Sequence, residues 1–355
     1  MSHTFLRRGV SVAVVAALAV LSACATPEPE PTPPPPAAPP PPPPALSLNR
    51  DVAEAASIYV AFMREAGTIQ SGFTTAESIQ DAIRRGAAYE PAQLSRGLIA
   101  YGAILALQSP EFVTGVRSFA TDPEQRATVV ARIIADPAYA ATLPGADAAA
   151  GLIVSTIGVD SAAMTAIAEA VEGDAYTIQE RRDPRRRWAV TPIANRADRL
   201  EGAKTLSAAR MLPSAEDSAR LFAAAHDGRG LNTTAASLPP PFTPAMVNSL
   251  AIAALAALGA AGEDGRANTE ALTVESNSEF CLNMSKLMLF QCLAASRPSY
   301  EDMFCLGRHV ARDLGQCTAQ ALAPTGRTPV SMAAAPTVAA DAATASQNAV
   351  QSAPN

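Results

Sequence analysis

Residues 281–317 read CLNMSKLMLFQCLAASRPSYEDMFCLGRHVARDLGQC and hold four of the chain's five cysteines, Cys281, Cys292, Cys305 and Cys317. Ser296-Arg297-Pro298-Ser299 has turn chemistry, because proline presets φ and lacks a donor. Apolar residues recur at helical spacing on both sides of it. Four cysteines permit three connectivities. Two antiparallel helices folded at that turn select one of them: Cys292 and Cys305 stand at matching heights, and so do Cys281 and Cys317. The expected bonds are therefore Cys292 to Cys305 and Cys281 to Cys317, each worth about 2–4 kcal/mol. The arms differ in phase. From Cys281 to Cys292 an ideal helix turns about 20° past three full turns, so both share a face with Met284 and Met288. From Cys305 to Cys317 the excess is about 120°, so supercoil or distortion is expected in the second arm.

The nested pattern resembles twin Cx9C helical hairpins. The intervals here are ten and eleven residues instead of nine, so the resemblance implies the topology and carries no function. Zinc motifs pair ligands about two to four residues apart, and no two cysteines are that close. A soft-metal set of Met284, Met288, Met303, Cys305 and His309 is the alternative, with Cys305 and His309 one turn apart. Methionines at helical spacing are more commonly core filler, so structural disulfides are expected and no metal or other cofactor.

Helical spacing also dominates upstream. Val52, Ala55, Tyr59, Phe62 and Ala66 share one face, as do Leu94, Leu98, Tyr101 and Leu105. Thr74 with Glu77, Ser214 with Asp217, and Ser276 with Glu279 are spaced as capping boxes. Ser109, Asp122 and Asp136 each precede a proline suited to a first helical turn. Breaks are expected at Gly158-Val159-Asp160, near Asp183-Pro184, and across 226–243. Pro244 to Ala261 is uncharged and apolar nearly all round; Asn248, Ser249 and abundant alanine favour a buried core helix over a membrane span. Aromatics make up 5% of the chain, which suits close-packed helices better than a deep aromatic pocket. The expected fold is all-α: a multi-helix domain over 49–321, with a possible sub-boundary at 226–243, ending in a disulfide-stapled hairpin. Residues 322–355, mostly Ala, Thr, Ser, Pro and Gln, read as a disordered tail.

The other end of the chain reads differently. Arg7 and Arg8 precede an apolar run from Val10 to Leu21, as in a secretory signal, and the run is short for a bilayer span of about 20 residues. Leu21-Ser22-Ala23-Cys24 resembles the lipobox of bacterial lipoproteins. That resemblance implies removal of residues 1–23, a diacylglyceryl group on the Cys24 thiol, and acylation of the freed amine. Ala25, where enterobacterial inner-membrane lipoproteins carry Asp, implies the outer membrane. Pro27 to Pro44 is nearly all proline and can form neither helix nor sheet. Residues 24–48 are thus expected to be a stiff tether, in which the stretch from Cys24 to Leu46 reaches roughly 60 Å at about 3.1 Å per residue.

The formal charge is −6, and loss of residues 1–23 removes two arginines and no acid, which argues against nucleic acid as a partner. No nucleophile elbow, HExxH, phosphate loop or dinucleotide fingerprint occurs. His226-Asp227 lies beside glycines, where a helix C-cap is the commoner reading than a catalytic pair. Glu169, Glu172 and Asp174 have the spacing of a solvated helix face. One charge cluster stands out: Arg181, Arg182, Arg185, Arg186 and Arg187, followed by Trp188, a candidate anion site for lipid phosphates partly neutralised by Glu180 and Asp183. Catalytic residues are expected to be absent. The expected protein is a non-enzymatic envelope scaffold or accessory subunit, with the membrane and an envelope protein as partners; a carrier of lipid or another hydrophobe is the alternative.

Overall fold

The computed structural model describes residues 42–181, 186–228, 230–231 and 233–322. The lipobox with Cys24, the tether up to Pro41, residues 182–185 with their expected break, and the tail from 323 onward lie outside the described residues. Among the described residues there are fourteen α-helices and no strand, so the chain is all-α.

The helix starts follow from capping chemistry. α1 (Arg50–Ala66) begins at Asn49, whose side chain accepts from the Val52 amide. α2 (Ala76–Ala87) is capped by Thr75, one residue beyond the Thr74 of the sequence reading. α3 (Pro91–Ala106), α4 (Pro110–Arg117) and α5 (Pro123–Ala135) start with proline behind Glu90, Ser109 and Asp122. Proline's absent donor costs nothing in a first turn. Asp136-Pro137 opens a 3-10 segment in the same way.

α6 (Ala146–Arg181) runs unbroken through Gly158-Val159-Asp160, against expectation. An interior glycine costs a helix only about 1 kcal/mol, and the buried contacts of Ile157, Ser161 and Met164 on either side of the step outweigh that. α7 (Arg187–Val190), α8 (Arg196–Ala208) and α9 (Ala215–Asp227) follow. Then come α10 (Pro244–Ala257), α11 (Arg266–Glu270), α12 (Ser276–Ala295), α13 (Ser299–Leu306) and α14 (Asp313–Leu322). Ser214 caps α9 as expected. Glu275, not Ser276, caps α12, its carboxylate accepting the Asn277 and Ser278 amides. A charged acceptor suits the positive end of the helix dipole better than a hydroxyl.

α3 is the spine. A Cβ on Gly97 would lie 2.6 Å from the Ala55 carbonyl of α1, and one on Gly102 would lie 2.6 Å from Ser249 Oγ of α10. Only glycine admits both neighbours so closely, and Ser249 completes the contact by donating to Ile99 O at 2.9 Å. α10 is the expected core helix, buried at every position from Ser249 to Ala257. α6 is long and apolar enough by length and composition to cross a bilayer; its inner side takes α13 and α14.

The stretch 226–243 is a connection, with Leu238 N–H donating to Asp147 O of α6 at 2.9 Å. The apolar residues on both sides of it belong to one hydrophobic cluster. At the other end, residues 42–48, assigned to the tether from sequence, run extended against the body. Ser47 N–H donates to Ala256 O, Asn49 N–H to Ala261 O, and Arg117 Nη1 to Pro44 O at 2.8 Å. Leu48 is buried and Asn49 Nδ2 donates to Ala261 O and Thr269 Oγ1, so folded structure begins before Asn49. Leu322, placed in the tail from sequence, is buried as the last residue of α14.

Candidate functional site

The stapled hairpin brings the body's most unusual surface to solvent. Both disulfides connect as expected, Cys281 to Cys317 and Cys292 to Cys305, with Cα separations of 5.7 and 5.6 Å. The phase mismatch of the second arm is resolved by a π segment, Gly307–Arg312, between α13 and α14. A π turn accommodates one residue more than an α turn, and one α residue is about 100° of phase. The twelve steps from Cys305 to Cys317 then act as about eleven, in register with the eleven from Cys281 to Cys292.

The inner side of the hairpin is held by buried polar groups. Lys286 lies over the Tyr89 ring, its Nζ 3.3 Å from the centroid, and donates at 2.5 Å to Ala87 O at the C-terminal end of α2. The negative end of a helix dipole and a ring face both favour an amine there. Burial nevertheless pushes the Lys286 amine well below its ordinary value, with Glu90 pulling the other way. Tyr89 OH donates to Ser285 Oγ, and Ser285 Oγ donates to His309 O inside the π segment at 3.0 Å. At the turn, Arg199 of α8 pairs with the fully buried Asp302, which also accepts from Ser296 Oγ and Gln80 Nε2, both at 2.6 Å.

The outer side of α12 is the opposite in character. Phe280 is 65% exposed, Leu287 47%, and Met284 and Met288 38% each. These are four of the ten exposed large hydrophobics among the described residues, and their spacing of four, three and one places them on one helical face. Every exposed residue of α12 is uncharged: Ser276, Asn277, Phe280, Asn283, Met284, Leu287, Met288, Gln291, Ala294 and Ala295. A solvated helix face ordinarily carries charge. The assignment of Met284 and Met288 to core filling is thus overturned; the disulfides face α13 and α14, and the methionines sit on the shoulder turned to water. The sequence held the signal, since from Phe280 to Ser296 the single charged side chain is Lys286, and it points inward.

The other sequence candidates disperse. Met303 and Cys305 are buried and Cys305 is oxidised, while His309 Nδ1 faces Asp313 at 3.2 Å. The soft-metal set is therefore not gathered, and among the described residues no three His, Cys, Asp or Glu side chains are grouped as metal ligands. Of the arginine cluster, Arg186 pairs with Asp174, which also accepts the Gly72 amide, and Arg187 is exposed. Arg182, Arg185 and the Arg181 side chain lie outside the described residues. Glu172 is buried against Arg312, so it is not part of a solvated face. His226 Nδ1 bonds Phe222 O, and Gly228 ends α9 in the left-handed region at φ 61°, so His226-Asp227 is a helix terminus.

Two spaces were not foreseen from sequence. Beneath Tyr59, whose hydroxyl donates to Asp160 at 3.3 Å, Ser95, Leu98 and Thr318 line a cavity of about 10 Å³, the size of one water. Burial raises the Asp160 carboxyl above its ordinary range. A broad open groove of about 450 Å³ is lined by Ile58, Phe62, Arg84, Arg85, Met211 and Leu212. The Gln93 amide fixes its lip by bonding both backbone groups of Met211. No known protein family, no curated protein and no solved structure matches the chain.

Proposed function

We propose that this protein is a non-enzymatic lipoprotein of the outer membrane, a scaffold or accessory subunit whose helical body presents the outer face of α12 to a protein partner in the envelope. The observation that carries this reading is the uncharged, apolar exposed face of a helix stapled in place by two disulfides. Apolar patches of this kind mark interaction surfaces. The lipobox Leu21-Ser22-Ala23-Cys24 and the disulfides support export to an oxidising compartment. Pro44, Ser47 and Asn49 bond to Arg117 of α4, Ala256 of α10 and Ala261 just after it, which supports a tether joined firmly to the body at its C-terminal end.

Metabolic labelling with palmitate and density-gradient separation of membranes test the anchor. Label in the outer-membrane fraction that disappears in Cys24→Ala agrees with the proposal, and an unlabelled, soluble wild-type chain refutes it. A second reading, a carrier of a lipid or other hydrophobe, draws support from the groove beneath Leu212, which is 78% exposed at its lip. Lipid retained by the purified protein and lost in Leu212→Asp would favour it.

A further inference from the structure

We propose that the outer face of α12 pairs with the same face of a second copy, the two helices antiparallel about a two-fold axis at Met284. This rests on the docking role proposed for that face. Two pairs of exposed residues on the face are chemically matched about Met284, while Leu287 faces the position of the disulfide-bonded Cys281. Asn277 and Gln291 are equidistant from it, as are Phe280 and Met288, and all four are exposed. In a two-fold interface, residue i meets residue j and j meets i. Antiparallel pairing therefore sets Phe280 against Met288 of the other copy, Met284 against itself, and Asn277 against Gln291. Each of these matches is chemically favourable: thioether on aromatic edge, thioether on thioether, amide on amide.

Charge selects the same occupant. No exposed residue of α12 is charged; its one basic side chain, Lys286, is buried against Ala87 O and the Tyr89 ring, and the half-buried Glu279 lies off the face by helical phase. Two copies of a chain with formal charge −6 repel overall, and an uncharged face adds nothing to that repulsion. The exposed residues of α14, Gln316 and Gln320, are also uncharged, and Gln320 lies beside Cys281.

The test is photo-crosslinking in membranes of cells making the full-length chain, with benzoylphenylalanine replacing Met284. The expected adduct has twice the mass of the chain, and its peptides join two copies of the segment around position 284. The same probe at Val159, which is 66% exposed on α6, should give no self-adduct. Phe280→Glu or Met288→Lys alone should lower the self-adduct roughly tenfold or more, the change in an equilibrium expected for about 1.4 kcal/mol. The double variant should restore it, because antiparallel pairing sets each new acid against a new base. Both changes are at exposed positions, so folding is not at stake, and rescue excludes general damage. An adduct only with another protein overturns the self-pairing and leaves the docking role standing. An adduct only with lipid, or none at all, overturns both. Failure of the double variant to rescue overturns the antiparallel register.

Discussion

Cys305 and Cys317 face one partner helix although the spacing between them does not suit an ideal α-helix, because the π segment Gly307–Arg312 takes up the extra residue. The distortion is the means by which two arms of unequal length share one register. Arg312 within the segment then reaches Glu172 at 2.7 Å, and a Cβ on Gly307 would lie 2.8 Å from Glu172 Cγ. The π turn is thus fixed against α6 as well as by the bonds.

An opposite response to deletion and insertion follows. Deleting the exposed Arg308 leaves an interval that a regular α-helix already brings into phase, so both disulfides should still form. Inserting an alanine after Arg308 moves Cys317 about 100° around the helix and should leave Cys281 and Cys317 as free thiols. Maleimide labelling followed by peptide mapping reads the outcome. Free thiols in the deletion variant, or none in the insertion variant, would contradict the phase argument.

Asp302 and Arg199 dock α8 onto the hairpin turn from almost complete burial. Removing one member of such a pair strands the other charge, so Asp302→Ala should lower the unfolding free energy by about 3–5 kcal/mol. Replacing both, with Arg199→Met and Asp302→Leu, should cost clearly less than the single change. Urea unfolding measures both variants, and equal losses would show that the pair is not the origin of the effect.

Lys286 gives a pH signature. Its amine is held well below its ordinary value of 10.5 by burial. The folded chain therefore binds fewer protons at this site than the unfolded chain, and its contribution to stability rises with pH until about 10.5. The unfolding free energy of the wild type minus that of Lys286→Met should accordingly increase between about pH 7 and pH 10. A difference that is flat or falls over that range would mean that the amine keeps its proton in the fold.

The parts legible in the sequence were those that obey local rules. Pro110, Pro123 and Pro137 announced their turns because a proline behind a cap residue has few other uses. The disulfide pairing followed from the position of Pro298 and two helical arms. What stayed hidden depended on tertiary context. Gly158 reads as a break until the helices packed against α6 are known. Glu275 outcompetes Ser276 as a cap through its carboxylate. Met284 and Met288 read as core because they share a helical face with Cys281 and Cys292, whereas the lack of any charge but Lys286 from Phe280 to Ser296 is what marks that face as open. A helix face is better judged by what it lacks than by its apolar residues alone.

The most direct test of the account is native mass spectrometry of the protein released gently from the membranes of cells that make it, which weighs the acyl groups, both disulfides and whatever remains bound. The expected result is an acylated chain with both bonds intact, held in a stoichiometric protein complex that Phe280→Glu dissolves. An acylated monomer that retains a lipid or other hydrophobe, unchanged by Phe280→Glu, would contradict the scaffold and establish a carrier in its place.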